Sequence, residues 1–171
     1  CPAVLPGGSA MLRLVPILVL TCLAAPVAAR DIVLSLGYGE FSAEGDREVG
    51  MLGIEAHTDR RGDFLGARWG LGVAGTFDDA GAVWVGLGPS AQWDLGRGWF
   101  VEASVMPGYY NGGSGGIDLG SELEIRSLLG IGRQIGAHSA LSLALSHKSN
   151  ADIGDINPGM NSLSLRLHWR F

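Results

Sequence analysis

The closing segment of the chain alternates without a break. Leu163, Leu165, Leu167, Trp169 and Phe171 are apolar, and Ser162, Ser164, Arg166, His168 and Arg170 between them are polar. Successive side chains of a strand point to opposite faces, so a period of two builds a strand with one apolar and one polar face. A polar loop, ADIGDINPGM, precedes this strand, and LSLALSHKSN before it repeats the pattern. There Leu141, Leu143 and Leu145 share a face with His147 and Ser149. A histidine and a serine therefore finish an apolar stripe, and that placement is the strongest functional signal in the chain.

The beginning of the chain has a different character. Met11, Arg13 and the apolar run LVPILVLTCLAAPVAA have the layout of a secretory signal peptide, with Val27 and Ala29 as the small residues of a cleavage site. Residues 1–29 are accordingly expected to be a leader, with 1–10 upstream of the true start, and 30–171 to be the working domain. A membrane anchor and a lipoprotein site at Cys22 fit less well, because Pro16 and Pro26 break the run and Leu20 and Thr21 suit lipoprotein processing poorly. Both cysteines, Cys1 and Cys22, fall in this leader, so the remainder offers neither a disulfide framework nor a thiolate metal site. A net charge of −5 with no basic run excludes nucleic acid as a partner. After the leader nothing approaches the roughly 20 apolar residues of a spanning helix.

Eight strands are expected in that domain. The first sets Ile32, Leu34, Leu36 and Tyr38 against Ser35, Gly37 and Gly39, and the second sets Leu52, Ile54 and Ala56 against Gly53, Glu55 and His57. The third sets Leu65, Ala67, Trp69, Leu71 and Val73 against Gly66, Arg68, Gly70 and Gly72. The fourth sets Val83, Val85, Leu87 and Trp93 against Gly86, Gly88 and Gln92, with Trp84 out of pattern. The fifth sets Trp99, Val101, Ala103 and Val105 against Phe100, Glu102 and Ser104, and the sixth Leu119, Leu123 and Ile125 against Glu122, Glu124 and Arg126.

The polar faces distinguish a water-soluble sandwich from a membrane barrel. They collect both signs of charge (Glu55, His57, Arg68, Glu102, Glu122, Glu124, Arg126, Arg166, His168 and Arg170) among glycines. Mutually paired charges and small residues suit the interior of a small barrel whose leucines face lipid, because buried charges must be paired. An all-β, eight-stranded antiparallel transmembrane β-barrel in the bacterial outer membrane is the expected fold. Connections at 59–63, 94–98 and 135–139 read as tight turns, and those at 41–48, 76–82, 109–117 and 150–160 as longer loops, the alternation of such barrels. Strand seven then carries His147 and Ser149 to the external end, on the lipid face.

Serine is a weak nucleophile until a base takes its proton, and histidine is the usual base near neutral pH. A third group must orient the imidazole and donors must meet the oxyanion. Asn150, Asn157 and Asn161 supply amides nearby, and Gly159 permits close backbone approach. By spacing alone His-x-Ser is a weak signal, and a polar rim pair at the membrane interface explains it better. His57 and His168 read as interior plug residues, His138 as a turn residue, YYNGGSGGI as a loop, and Trp69, Trp93, Trp99 and Trp169 as an interfacial girdle. Asp78 and Asp79 alone do not make a cation site.

The stretch HKSNADIGDINPGMN resembles the signature of the lipid A 3-O-deacylases of the PagL type, in its His-x-Ser-Asn core, its Asn-Pro-Gly and the short closing strand with an aromatic end. The resemblance implies an outer-membrane serine esterase that removes the 3-O-linked acyl chain from lipid A of lipopolysaccharide in the outer leaflet. It implies His147 as base, Ser149 as nucleophile, Asn150 and Asn157 in the oxyanion region, and no cofactor or metal. The position aligned with the family's third, glutamate, member is Asn161, which can fix the ring but offers no counter-charge; Asp152 or Asp155 is a substitute to be weighed. The alternatives are a non-catalytic barrel with a binding or envelope-integrity role, and an acyltransferase on the same lipid. The oligomeric state stays open, a homodimer among the options.

Overall fold

The computed structural model describes residues 29–41, 47–115 and 117–171, so the expected leader lies outside the described residues apart from its last position. The strands are β1 (Asp31–Phe41), β2 (Arg47–His57), β3 (Arg61–Phe64), β4 (Ala67–Asp78), β5 (Val83–Gly96), β6 (Trp99–Asn111), β7 (Leu123–Gln134), β8 (Ser139–Ser149) and β9 (Met160–Arg170). All pairings are antiparallel, and β1 meets both β2 and β9. The pairing of β2 with β4 closes the ring, so eight long strands form a barrel and the short β3 pairs only with the start of β4. No helix occurs among the described residues.

The faces follow the alternation in the sequence, turned inside out relative to a soluble protein. Leu36 is 65% exposed, Leu87 66% and Leu145 64%, while Glu55, Glu102, Arg166 and His168 are buried. An apolar outer wall around a charged interior is stable only where the surroundings are lipid. Trp69, Trp93, Trp99 and Trp169 all fall at the short-turn ends of their strands, and Trp99 stacks under Arg133 with the guanidinium carbon 5.5 Å from the ring centroid. Tyr38, Phe77 and Tyr109 face outward at the opposite end.

Three connections differ from expectation, one of them because β6 runs to Asn111 and β7 begins only at Leu123, past the loop expected at 109–117. Residues 59–63 do not form a tight turn: the chain continues into β3 and reverses at Leu65 and Gly66, with φ of 56° and 72°. Two consecutive left-handed residues make the mirror-image turn that matches strand twist. Trp69 Nε1 donates to Phe64 O at 2.9 Å and Trp93 Nε1 to Leu65 O at 3.1 Å, tying this small hairpin to the rim. Leu65 thereby leaves the outer row, and Ala67 is buried. The connection expected at 76–82 shrinks to 79–82, because β4 runs to Asp78, whose carboxylate accepts from Ala82 N at 2.8 Å.

The interior has two storeys. Toward the short turns, Glu55 accepts from Arg126 Nη1 at 2.8 Å, from Arg166 Nη1 at 2.7 Å and from His57 Nε2 at 3.1 Å. Glu102 accepts from Ser142 Oγ at 2.6 Å and Arg166 Nε at 3.2 Å. Arg68 and Glu122, expected in this plug, are exposed at the barrel's ends. Toward the long loops the filling is apolar: Phe41, Trp84, Met106, Tyr110, Ile117, Leu119 and Met160 pack together. Leu119 belongs here and not to the outer row of the sixth strand. Trp84 breaks the pattern of its strand because it turns inward, donating from Nε1 to Glu124 O at 3.0 Å with the Arg126 guanidinium 5.0 Å from its ring centroid. A Cβ on either Gly86 or Gly108 would run into the Trp84 ring.

Removing one partner of a buried ion network leaves the others uncompensated, at a cost of about 3–5 kcal/mol. Glu55→Ala is therefore expected to lower the unfolding free energy by about that much, read by urea titration of the barrel in lipid vesicles. An unchanged midpoint would mean that the network contributes nothing to stability.

Candidate active site

His147 and Ser149 close β8 on the outward face, and the two neighbouring strands complete their surroundings. His147 lies opposite Ser127 on β7 and opposite Asn161 on β9. Its Nδ1 is 2.8 Å from Asn161 Oδ1. A carboxamide oxygen only accepts, so Nδ1 is the donor of this contact and Nε2 is the nitrogen left to act as a base. Ser149, opposite Ile125, shares this face and is half-buried.

The intervening residues point the other way. Lys148 is buried, its ammonium 5.5 Å from the centroid of the Tyr110 ring. Asn150, expected as an oxyanion residue, is also inward and fully buried, and it clamps two loops: Nδ2 donates to Leu119 O at 2.9 Å and to Ile156 O at 2.7 Å. Asn157 Oδ1 accepts from Asn150 N at 3.1 Å, and its Nδ2 donates to Asp152 Oδ1 at 2.9 Å. Asp152 is thus engaged within the loop and does not reach the imidazole. Ala151 and Asp152, with φ of 53° and 61°, turn the chain sharply after Ser149. These asparagines shape the loop that ends at Gly159, which has φ of 68°. A Cβ there would lie 3.1 Å from His147 Cε1, so the absence of a side chain lets the loop pass beside the ring.

A groove of about 560 Å³ opens sideways on the outer wall beside this row. Leu129, Leu145, Leu163 and Val105 form its apolar part, and His147, Asn161, Ser127, Tyr38 and Glu40 its polar part. Ser127, Tyr38 and Glu40 are not legible as site residues in sequence, since their proximity depends on strand register across β1, β9, β8 and β7. Among the described residues no cluster of three His, Cys, Asp or Glu side chains is placed to hold a metal.

The closed ring and its lipid-facing wall define a small outer-membrane β-barrel, here with a polar row let into the apolar surface. The family model for lipid A 3-O-deacylase (PagL) matches residues 49–170, and the chain belongs to that family. The crystal structure of the outer membrane enzyme PagL is similar with a TM-score of 0.63 and 20% identity, covering 82% of this chain and 99% of that one. The crystal structure of Neisserial surface protein A is similar with a TM-score of 0.56 and 12% identity, over 82% of this chain and 96% of that one. A de novo designed transmembrane β-barrel gives 0.55 and 7% identity, over 84% and 97%. At such identities these likenesses speak for the fold. No curated protein matches the chain.

A left-handed conformation costs a residue with a Cβ about 1–2 kcal/mol, so Gly159→Ala is expected to reduce stability by that amount and to displace the His147 ring. Urea unfolding checks the first effect, and the ring signals of His147 in a micelle NMR spectrum check the second. Unmoved ring signals would show that the loop does not set the imidazole position.

Proposed function

We propose that the protein is an outer-membrane serine esterase that removes the 3-O-linked acyl chain from lipid A of lipopolysaccharide. The observation that carries this reading is the His147–Asn161 pair, in which Asn161 Oδ1 orients the imidazole through Nδ1 beside an apolar groove on the lipid-facing wall. Family membership supplies the reaction class. A substrate anchored by its acyl chains in the outer leaflet reaches such a groove by lateral diffusion and lays a chain along Leu129, Leu145 and Leu163. By the usual arrangement of short periplasmic and long external connections, the row lies toward the outer leaflet.

In the proposed reaction Ser149 Oγ gives its proton to His147 Nε2 and attacks the ester carbonyl carbon. The tetrahedral intermediate collapses, the bond to the oxygen at position 3 breaks, and the imidazolium returns the proton to that leaving oxygen. Water, deprotonated in turn by His147, then attacks the acyl-serine; the bond to Ser149 Oγ breaks, the imidazolium returns its proton to Oγ, and the fatty acid leaves. Asn161 keeps the imidazole in place through Nδ1. Asn150, Asn157 and Gly159 act at one remove, by fixing the loop against which the ring packs.

An acyltransferase of the same lipid fits the interior poorly. The internal space bounded by Ser35, Thr76, Arg126, Ser164 and Arg166 is about 20 Å³, room for a water and not for an acyl chain.

Lipid A from cells expressing the protein is expected to lose one 3-hydroxyacyl mass, while Ser149→Ala and His147→Ala leave it as in the empty control. With purified barrel the two substitutions should lower the rate by a factor on the order of 10⁴–10⁶. Equal deacylation by Ser149→Ala excludes the serine mechanism. Unmodified lipid A in the presence of folded wild-type barrel favours a non-catalytic binding or envelope role.

A further inference from the structure

The polar row on the outer wall does not stop at β9. Asn161 lies opposite Glu40 across the β1–β9 ladder, as it lies opposite His147 across β8–β9. Residues directly opposite in antiparallel strands project to one face with Cβ atoms roughly 4.5–5.5 Å apart. Ser127, His147, Asn161 and Glu40 therefore form one transverse line over four strands, and all four border the same groove. Glu40 precedes the part of the chain that the family model matches.

A carboxylate on the lipid-facing wall is unfavourable unless it lies near the interface or serves a purpose. Across the other ladder of β1, Glu40 faces Glu48 on β2, and like charges directly opposite each other are destabilising. The titratable groups around the row are thus Glu40 and Tyr38 on β1, Glu48 on β2 and His147 on β8, while β7 and β9 contribute the uncharged Ser127 and Asn161.

We propose that Glu40, acting through Asn161, is the acidic positioning residue of this site, so that His147, Asn161 and Glu40 form a relay in place of a direct histidine–carboxylate pair. Asn161 Oδ1 is committed to His147, which leaves the two N–H donors of Nδ2. A carboxylate that accepts one of them polarises the amide and makes Oδ1 more negative. The relay then stabilises the imidazolium that forms when the Ser149 proton reaches Nε2; no proton moves to Glu40. This assignment rests on the proposed esterase reading for its role in turnover, but the hydrogen bond exists or fails independently of activity.

The test uses full-length barrel in micelles, with wild type, Glu40→Gln, Asn161→Glu and the double variant. By NMR, the Asn161 side-chain amide protons are expected downfield in wild type and shifted upfield in Glu40→Gln; identical shifts overturn the relay. With lipid A as substrate, Glu40→Gln is expected to lower kcat by about tenfold to a hundredfold with KM little changed, and to move the acid limb of the pH profile to lower pH. In the Asn161→Glu background, where position 161 itself carries the counter-charge, Glu40→Gln should cause no loss. An equal loss in both backgrounds would mark Glu40 as merely structural and overturn the proposal. A folded wild type without deacylase activity but with the amide shift sinks the esterase reading and leaves the relay standing.

Discussion

Backbone amides and carbonyls have no water to bond in the hydrocarbon core, so a sheet that enters it must have no free edge. The β2–β4 and β1–β9 pairings meet this condition, and the other features follow from the closure. Once the ring is shut, each strand has one face toward lipid and one toward a narrow lumen, and the period of two sorts residues between them. The wall takes leucine, valine and isoleucine. The lumen must be filled by side chains that satisfy each other, because little water is available there.

Two kinds of filling solve that problem in this barrel. At the short-turn end, carboxylates and guanidinium groups saturate one another around Glu55 and Glu102. At the long-loop end, Trp84, Phe41, Met106 and Leu119 pack as a small core, with Gly86 and Gly108 vacating the space that the indole occupies. That upper core backs the strands that carry the outward polar row. Met160 and Lys148, opposite each other on β9 and β8, point into it while their neighbours Asn161 and His147 point out. The row is therefore mounted on a wall supported from behind.

The barrel was legible because alternation is a local property: the leucines of the closing strand state their face without reference to any other strand. The charged plug was legible for the same reason, since Glu55, Glu102, Arg126 and Arg166 alternate with apolar residues. Trp84 showed as an irregularity whose meaning depended on glycines from its own and the next strand. The reversal at Leu65 and Gly66 is not legible because Arg-Gly-Asp has the composition of a turn, whereas the indoles of Trp69 and Trp93 tie the hairpin beyond it to the rim. His147, Ser149 and Asn161 could be nominated from spacing and resemblance. The inward, buried placement of the Asn150 side chain is not legible from the resemblance that nominates it, because it depends on the carbonyls of Leu119 and Ile156 in two separate loops. Glu40 and Ser127 could not be found at all, because only register joins them to His147.

The sideways opening of the groove has a consequence for how the protein behaves outside its membrane. An amphiphile that coats the barrel wall also coats the groove, so solvation and occupancy are the same event there. In a micelle, the detergent competes with any lipid for this surface in proportion to its mole fraction in the annulus, and the volume concentration of either is irrelevant. Occupancy of the groove is then a two-dimensional partition problem, set by the composition of the surrounding film.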